Sequence, residues 1–305
     1  MKKLSFFIES ILASLSLVLL FTSCGESVVE IGQNTYSPKI VVEGYLFPER
    51  KVENIKVTRN FALNTQPNPY SLILYSADVR ITDLESGVEY KLSYNPITFL
   101  FDNIEGNLSI GYDKSYKLSV TALVDGKHLQ TSSVTRTPKK GFRILKEESI
   151  LDSLHYIEKD SSGVEKQFKI IFKPSEGSTF YGISRVALDG SKQTYIEDNP
   201  YVEIDDEELD KRLTSMKYQF RWMQNVNDYA ERLEHEVLWL GTWFYGSYRT
   251  IMYAGDENFR LFALTNKSVQ EFDGNFHEPR INMTGDGIGV FGSCIADTVY
   301  YTVLK

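Results

Sequence analysis

Few residues in this chain are equipped for chemistry. Cys24 and Cys294 are its only cysteines, and His128, His155, His235 and His277 its only histidines. His235-Glu236 opens like the H-E-x-x-H of zinc proteases, where two histidines one helical turn apart share an ion. Position 239, however, is Trp, and a single ligand cannot hold zinc. His277-Glu278 runs into Pro279 and fails likewise. No two histidines stand at ligand spacing, so no metal site is expected. Gly182-Ile183-Ser184-Arg185-Val186 lacks the closing glycine of a G-x-S-x-G nucleophile elbow. Gly287 to Gly292 (GIGVFG) fits the dinucleotide pattern G-x-G-x-x-G, which needs a helix to hold the pyrophosphate. Only 13 residues follow Gly292, too few for that helix and a further strand. The glycines instead predict a bulge or close packing in a terminal strand. Neither a nucleotide nor any other cofactor is expected. Paired carboxylates forming a hydrolase site stay open, because spacing alone does not exclude them.

Two other clusters suggest binding. Glu203, Asp205, Asp206, Glu207, Glu208 and Asp210 form the densest acidic run. A calcium loop wants a central glycine, which is missing, so a solvated helix start favoured by the helix dipole is expected. Trp222, Trp239, Trp243, Phe244, Tyr245 and Tyr248 concentrate aromatics within 27 residues. Such rings stack on ligands or fill interfaces, but also fill β-rich cores. Gly241 and Gly246 interrupt the run, so part of it reads as a loop that exposes a ring or two. Trp239, Trp243 and Tyr245 are therefore the candidate ligand- or partner-binding residues.

The chain's beginning reads as an export signal. Lys2 and Lys3 give a positive start, and an apolar stretch runs from about Ile11 to Phe21. That is shorter than the about 20 residues of a membrane span. It ends in Leu20-Phe21-Thr22-Ser23-Cys24, which resembles a lipobox, although Phe21 stands where Leu is usual and Glu9 is unusual inside a signal. Residues 1–23 are expected to be removed and Cys24 to carry lipid, each buried CH₂ contributing about 0.8 kcal/mol to anchoring. Cys294 then has no disulfide partner and is expected to be a small buried hydrophobe. The 305-residue chain has 33 Lys and Arg against 41 Asp and Glu, a formal charge of −8. An acidic surface argues against nucleic acid and against basic docking on anionic lipid.

These residues need a scaffold, and the pattern predicts a mainly β one. Residues 24–37 are polar and patternless, a tether. Lys39 to Phe47 is a strand candidate. Val79 and Ile81 alternate with polar neighbours, Glu85-Ser86-Gly87 offers a turn, and Val88 to Tyr94 follows. Tyr116, Leu118, Val120 and Ala122 alternate before Asp125-Gly126, a strong hairpin signal, and Lys127 to Val134 returns. Pro138-Lys139-Lys140-Gly141 breaks the pattern, which puts a domain boundary there: a small antiparallel sandwich over 38–138 and a second β-rich domain over 139–305. In the second, Phe168 to Phe172 and Met216 to Trp222 alternate, and Tyr181 to Leu188 with Ser191 to Ile196 predicts another hairpin. Two helices are expected. One covers Asn227 to Leu238. The other runs from Asp256 to before Gly274, with Asp256 as cap and Phe259, Phe262, Ala263 and Phe272 on one face.

Taken in order, Pro38 to Phe47, Ala77 to Leu92, Ser115 to Ser133 leading into Pro138, Glu257 to Phe272 and Gly287 to Gly292 resemble a family of Bacteroidota lipoproteins classed as a domain of unknown function. The resemblance covers nearly the whole mature chain. It implies an outer-membrane lipoprotein accompanying a TonB-dependent transporter of the starch-utilisation type. It also implies that the first domain is an immunoglobulin-like or carboxypeptidase-regulatory-like sandwich, and it carries no catalytic residues. The expected function is thus a non-enzymatic accessory protein, lipid-anchored at the cell surface or the periplasmic face, assisting nutrient capture. A surface adhesin or structural interaction module shares the anchor and fold; a hydrolase with an unrecognised carboxylate site is the third reading.

Overall fold

Period-two alternation turns most of the chain into strands. The computed structural model describes residues 36–62, 65–202, 204–224, 230–265 and 282–305. The export signal and Cys24 lie outside the described residues. In chain order the elements are β1 (Ile40–Leu46), β2 (Lys56–Arg59), β3 (Asp78–Asp83), β4 (Glu89–Asn95), β5 (Leu100–Asp102), β6 (Ser115–Val124), β7 (Lys127–Arg136), β8 (Arg143–Ile144), β9 (Ser153–His155), β10 (Phe168–Lys173) and β11 (Phe180–Ala187). Then come α1 (Asp206–Lys217), β12 (Tyr218–Gln224), β13 (Leu233–Val237), β14 (Gly246–Gly255), α2 (Glu257–Thr265), β15 (Thr284–Gly285) and β16 (Gly287–Leu304). No helix among the described residues is long and apolar enough to cross a membrane.

The strands form three sheets. One is six-stranded, in the order β15-β7-β6-β3-β4-β5. One is seven-stranded, β12-β11-β14-β16-β1-β2, with β9 also on β16; the third is β13-β10-β8. The fold is mainly β with several antiparallel sheets and two helices, a sandwich followed by a second β-rich part, as the sequence pattern predicts. The β6–β7 hairpin turns at Asp125 (φ 49°) and Gly126 (φ 77°), the left-handed pair that such a turn requires.

The buried apolar residues make two clusters. Ile40, Val42, Val79, Ile81, Leu118 and Val120 belong to the first; Phe168, Phe172, Tyr181, Trp239, Tyr248 and Met252 belong to the second. β16 serves both. Its first residues pair in parallel with β1, Gly287 opposite Ile40, and put Phe291 into the first cluster. Its later residues pair antiparallel with β14, Cys294 opposite Gly255, and put Val299 and Tyr301 into the second. Pro38–Lys305 is accordingly one compact unit. The GIGVFG glycines are packing residues in this strand. Gly289 has φ 113°, and any Cβ there would overlap the Val42 carbonyl oxygen.

Three expectations are corrected. The hairpin from Tyr181 to Ile196 does not form; β11 pairs with β12 and β14 instead. Thr194 Oγ1 donates to the Asp189 carbonyl (2.8 Å) and accepts from the Ser191 N–H (3.0 Å), holding the chain in a tight turn where a return strand would start. The helix from Asn227 to Leu238 is not found where it is described, because Leu233–Val237 is β13. There Leu233 and Val237 face inward and Glu234 and Glu236 outward, against β10. Met216 ends α1 rather than starting a strand. The acidic run does begin a helix: Asp205 caps α1, accepting from the Glu208 N–H at 2.8 Å. The second expected helix is α2 as far as Thr265; its continuation lies outside the described residues.

Candidate binding cleft

Six rings from distant parts of the chain meet on one face of the seven-stranded sheet. Tyr45 lies in β1 and Phe47 just beyond it, Phe220 in β12, Tyr253 in β14, and Phe259 and Phe262 in α2. With Ser184, Ala263 and Cys294 they line a cleft of about 350 Å³, a size suited to a small molecule. Register explains the meeting. Gly182 stands opposite Tyr253, Ser184 opposite Phe220, Gly255 opposite Cys294 and Gly292 opposite Tyr45. Side chains alternate across a strand, so all of these share one face. Small residues make its floor and rings stand around them.

Helix α2 walls one side, and its seat is specific. Asp256 Oδ1 accepts from the Phe259 N–H (2.9 Å) and the Ser293 N–H (3.1 Å), while Thr135 Oγ1 donates to Oδ2 (2.5 Å). Burial nevertheless raises the Asp256 carboxyl above the ordinary carboxylate range. Asn258 Nδ2 donates to the Phe291 carbonyl (2.8 Å) and the Val134 carbonyl (2.7 Å), tying the helix to β16 and β7. Phe259 drops into a cradle of glycines: a Cβ on Gly255 would overlap its ring, and one on Gly182 would sit 2.8 Å from it. Four rings surround it, with centroid distances of 5.5 Å to Tyr45, 5.7 Å to Phe180, 6.1 Å to Tyr253 and 6.4 Å to Phe220.

Burial is the largest influence on the titratable residues that line the cleft. Burial, with Glu43 second, pushes the Tyr45 phenol well above its usual range, and burial raises Tyr253. Cys294 is 1% exposed, and burial raises its thiol, so it stays protonated and inert. Such a lining grips apolar or ring faces and offers the hydroxyls of Tyr45, Tyr253 and Ser184.

The aromatic run singled out in the sequence goes elsewhere. Trp239 is 1% exposed. Its indole N–H donates to the Lys166 carbonyl at 2.8 Å, and its ring meets Tyr156 at 5.4 Å and Phe168 at 5.7 Å, both edge to face. No face is left for a ligand, so Trp239 is corrected to core. Trp243 and Tyr245 are half-buried against the same cluster. None of the three lines the cleft. Sequence reasoning missed the cleft because its walls come from positions 45 to 294 and its floor is defined by what is small.

A second, polar cleft of about 390 Å³ opens beside the start of α2. Its cations are all matched: Arg136 with Asp113 (2.9 Å), Lys139 with Glu176 (2.6 Å) and Arg260 with Glu257 (2.6 Å). Among the described residues no group of three or more His, Cys, Asp or Glu is gathered to hold a metal ion.

The family model of a domain of unknown function, DUF4249, matches residues 26–298. The chain belongs to this family. The DUF4249 match therefore includes every residue that lines the aromatic cleft, both helices and most of β16. No curated protein matches the chain. A structure solved for host cell surface retention of a 1.5-MDa bacterial ice-binding adhesin aligns with TM-score 0.21 and 11% identity, over 89% of this chain and 66% of that one, just under two thirds of its length. Agreement that low says nothing about fold or function.

Proposed function

We propose that this DUF4249 chain is a lipid-anchored accessory protein of the outer membrane that binds rather than catalyses, and assists a TonB-dependent transporter in nutrient capture. The aromatic cleft carries the reading. It is small-molecule sized, walled by six rings, and its titratable neighbours Tyr45, Tyr253 and Cys294 all keep their protons. That combination suits a ligand with a ring or acyl face and supplies no proton shuttle. The lipobox-like ending at Cys24 supports the anchor, and the resemblance to Bacteroidota lipoproteins supports the transporter partner.

The test is a tagged pull-down from gently solubilised outer membranes, with Cys24→Ala as the unanchored control and mass spectrometry of what co-purifies. A stoichiometric TonB-dependent transporter supports the accessory role, and its substrate then becomes the ligand to titrate against wild type and Phe220→Ala. A folded, lipidated sample that brings down no transporter overturns that role and favours a free-standing adhesin.

A further inference from the structure

The opposite face of the same strands carries an unbalanced charge. Arg185 of β11 is 8% exposed. Its guanidinium donates to Gln219 Oε1 (2.7 Å), to the Gly241 carbonyl oxygen and, more weakly, to Thr242 Oγ1 (3.5 Å), and it lies 5.6 Å over the Tyr248 ring. All four partners are neutral. Arg221 of β12 stands opposite Ile183, which puts it on this same face. The two guanidinium ends converge at Gly241, where an added Cβ would sit 2.7 Å from Arg221 Nη2 and 3.1 Å from Arg185 Nη2. Among the described residues neither arginine forms an ion pair, whereas every cation of the polar cleft beside α2 does. A buried charge is normally matched, because leaving water without a counter-charge costs several kcal/mol.

Both arginines line a cavity of about 70 Å³, together with Gln219, Thr250, His235 of β13 and apolar neighbours such as Ile183 and Val237. A water needs about 10–15 Å³ on this measure, so the space holds a group of a few heavy atoms and excludes a nucleotide. Glu236 also borders the cavity, but its carboxylate is engaged by Lys169 at 3.0 Å. We infer that this cavity is a binding site for a small oxyanion group, a phosphate, sulfate or carboxylate, held by the fork of Arg221 and the charge of Arg185, with His235 beside them. Guanidiniums match the planar and tetrahedral oxygens of such groups two at a time. The charge facing His235 is consistent with this: burial, then Arg185 and Arg221, depress its imidazole to about 4, against a smaller opposing effect of Glu236. Burial and Arg185 likewise lower Arg221. An anion seated among them relieves both. The site is separate from the aromatic cleft and stands or falls without it.

The experiment uses the full-length chain in detergent, titrated with sodium phosphate, sulfate and acetate against sodium chloride at matched ionic strength. Two readouts are followed: the thermal midpoint, and the His235 ring signals in a histidine-labelled sample. The expected result is a saturable rise of the midpoint with at least one oxyanion, an upward shift of the His235 titration by about one unit, and at least about tenfold weaker binding in Arg221→Gln. Arg221 is exposed enough for that variant to fold, and Arg185→Gln serves as the stronger second variant. Identical curves in chloride and in all three oxyanions overturn the site. So does binding that Arg221→Gln leaves unchanged, or a His235 titration that no oxyanion moves.

Discussion

The two faces of the seven-stranded sheet are built from the same strands and share almost nothing. On β11, Gly182 and Ser184 point to the aromatic cleft, while Ile183 and Arg185 point to the arginine cavity. On β12, Phe220 goes one way and Gln219 and Arg221 the other. On β14, Tyr253 opposes Thr250 and Met252. One face is ring-lined, glycine-floored and covered by α2. The other packs against the β13-β10-β8 sheet and carries two arginines, Arg185 buried and Arg221 exposed, that form no ion pair among the described residues. A one-residue slip of any of these strands would exchange the faces, so register fixes the chemistry as well as the core.

The largest break in this comparison is at the cavity side's core. Trp239→Ala removes a fully buried ring and its N–H bond to Lys166, and is expected to cost about 3–5 kcal/mol. Chemical denaturation of the variant measures it directly. A cost under about 1 kcal/mol would instead return Trp239 to the list of surface binding residues.

That prediction also marks what the sequence could and could not deliver. Strands β1, β3 and β6 were legible because one face of each is apolar and the other wetter; β7, whose buried face is Leu129, Thr131, Ser133 and Thr135, was legible only through the Asp125-Gly126 turn, which announces its own backbone geometry. β13 was not, because Leu-Glu-His-Glu-Val also suits a helix and only its pairing with β10 decides. Density of aromatics in sequence pointed to Trp239, which is core. The rings of the cleft are scattered from Tyr45 to Phe262, each ordinary in its own segment. Their meeting depends on Gly182, Gly255 and Gly292 being bare on adjacent strands, a property of register that one-dimensional spacing does not carry.

The next effect separates the faces by pH. His235 is held near 4 in the folded chain against 6.5 ordinarily. Between those values the unfolded chain binds the extra proton, so this stabilising contribution is complete above pH 6.5 and is lost as the pH falls towards 4. Its size is on the order of 2–3 kcal/mol. Unfolding measured across that window should show the slope, and His235→Gln should flatten it. Asp256, under the cleft-side helix, acts with the opposite sign. Its raised pKa means that the folded chain keeps its proton longer, so its contribution weakens as the pH rises above the ordinary value of 3.8. Asp256→Asn retains a capping oxygen and removes that trend. If His235→Gln leaves the acid limb untouched, the arginine face is not charged in the way its geometry requires.

On the cleft side, Gly255→Ala forces the Phe259 ring out of its seat. Overpacking of this kind costs about 1–3 kcal/mol, and here the displaced ring moves into the cleft. Stability and cleft occupancy should therefore fall together, while the oxyanion response across the sheet stays as in wild type. Loss of both responses would mean that the faces are coupled through the strands rather than independent.

The smallest expected change is the most discriminating. Phe220 is half-buried, forms a wall of the cleft, and meets Phe259 at a centroid distance of 6.4 Å. Phe220→Ala should cost only about 1 kcal/mol, since little of its ring contact is with the core. Its neighbour Arg221 keeps its place on the other face, because the strand's pairing with β11 is unchanged. A ligand that stacks in the cleft should lose about tenfold in affinity, the weight of one aromatic contact. Equal affinity with equal stability would show that the rings of this face serve only to seat α2. The cleft would then be a by-product of packing a phenylalanine onto three glycines.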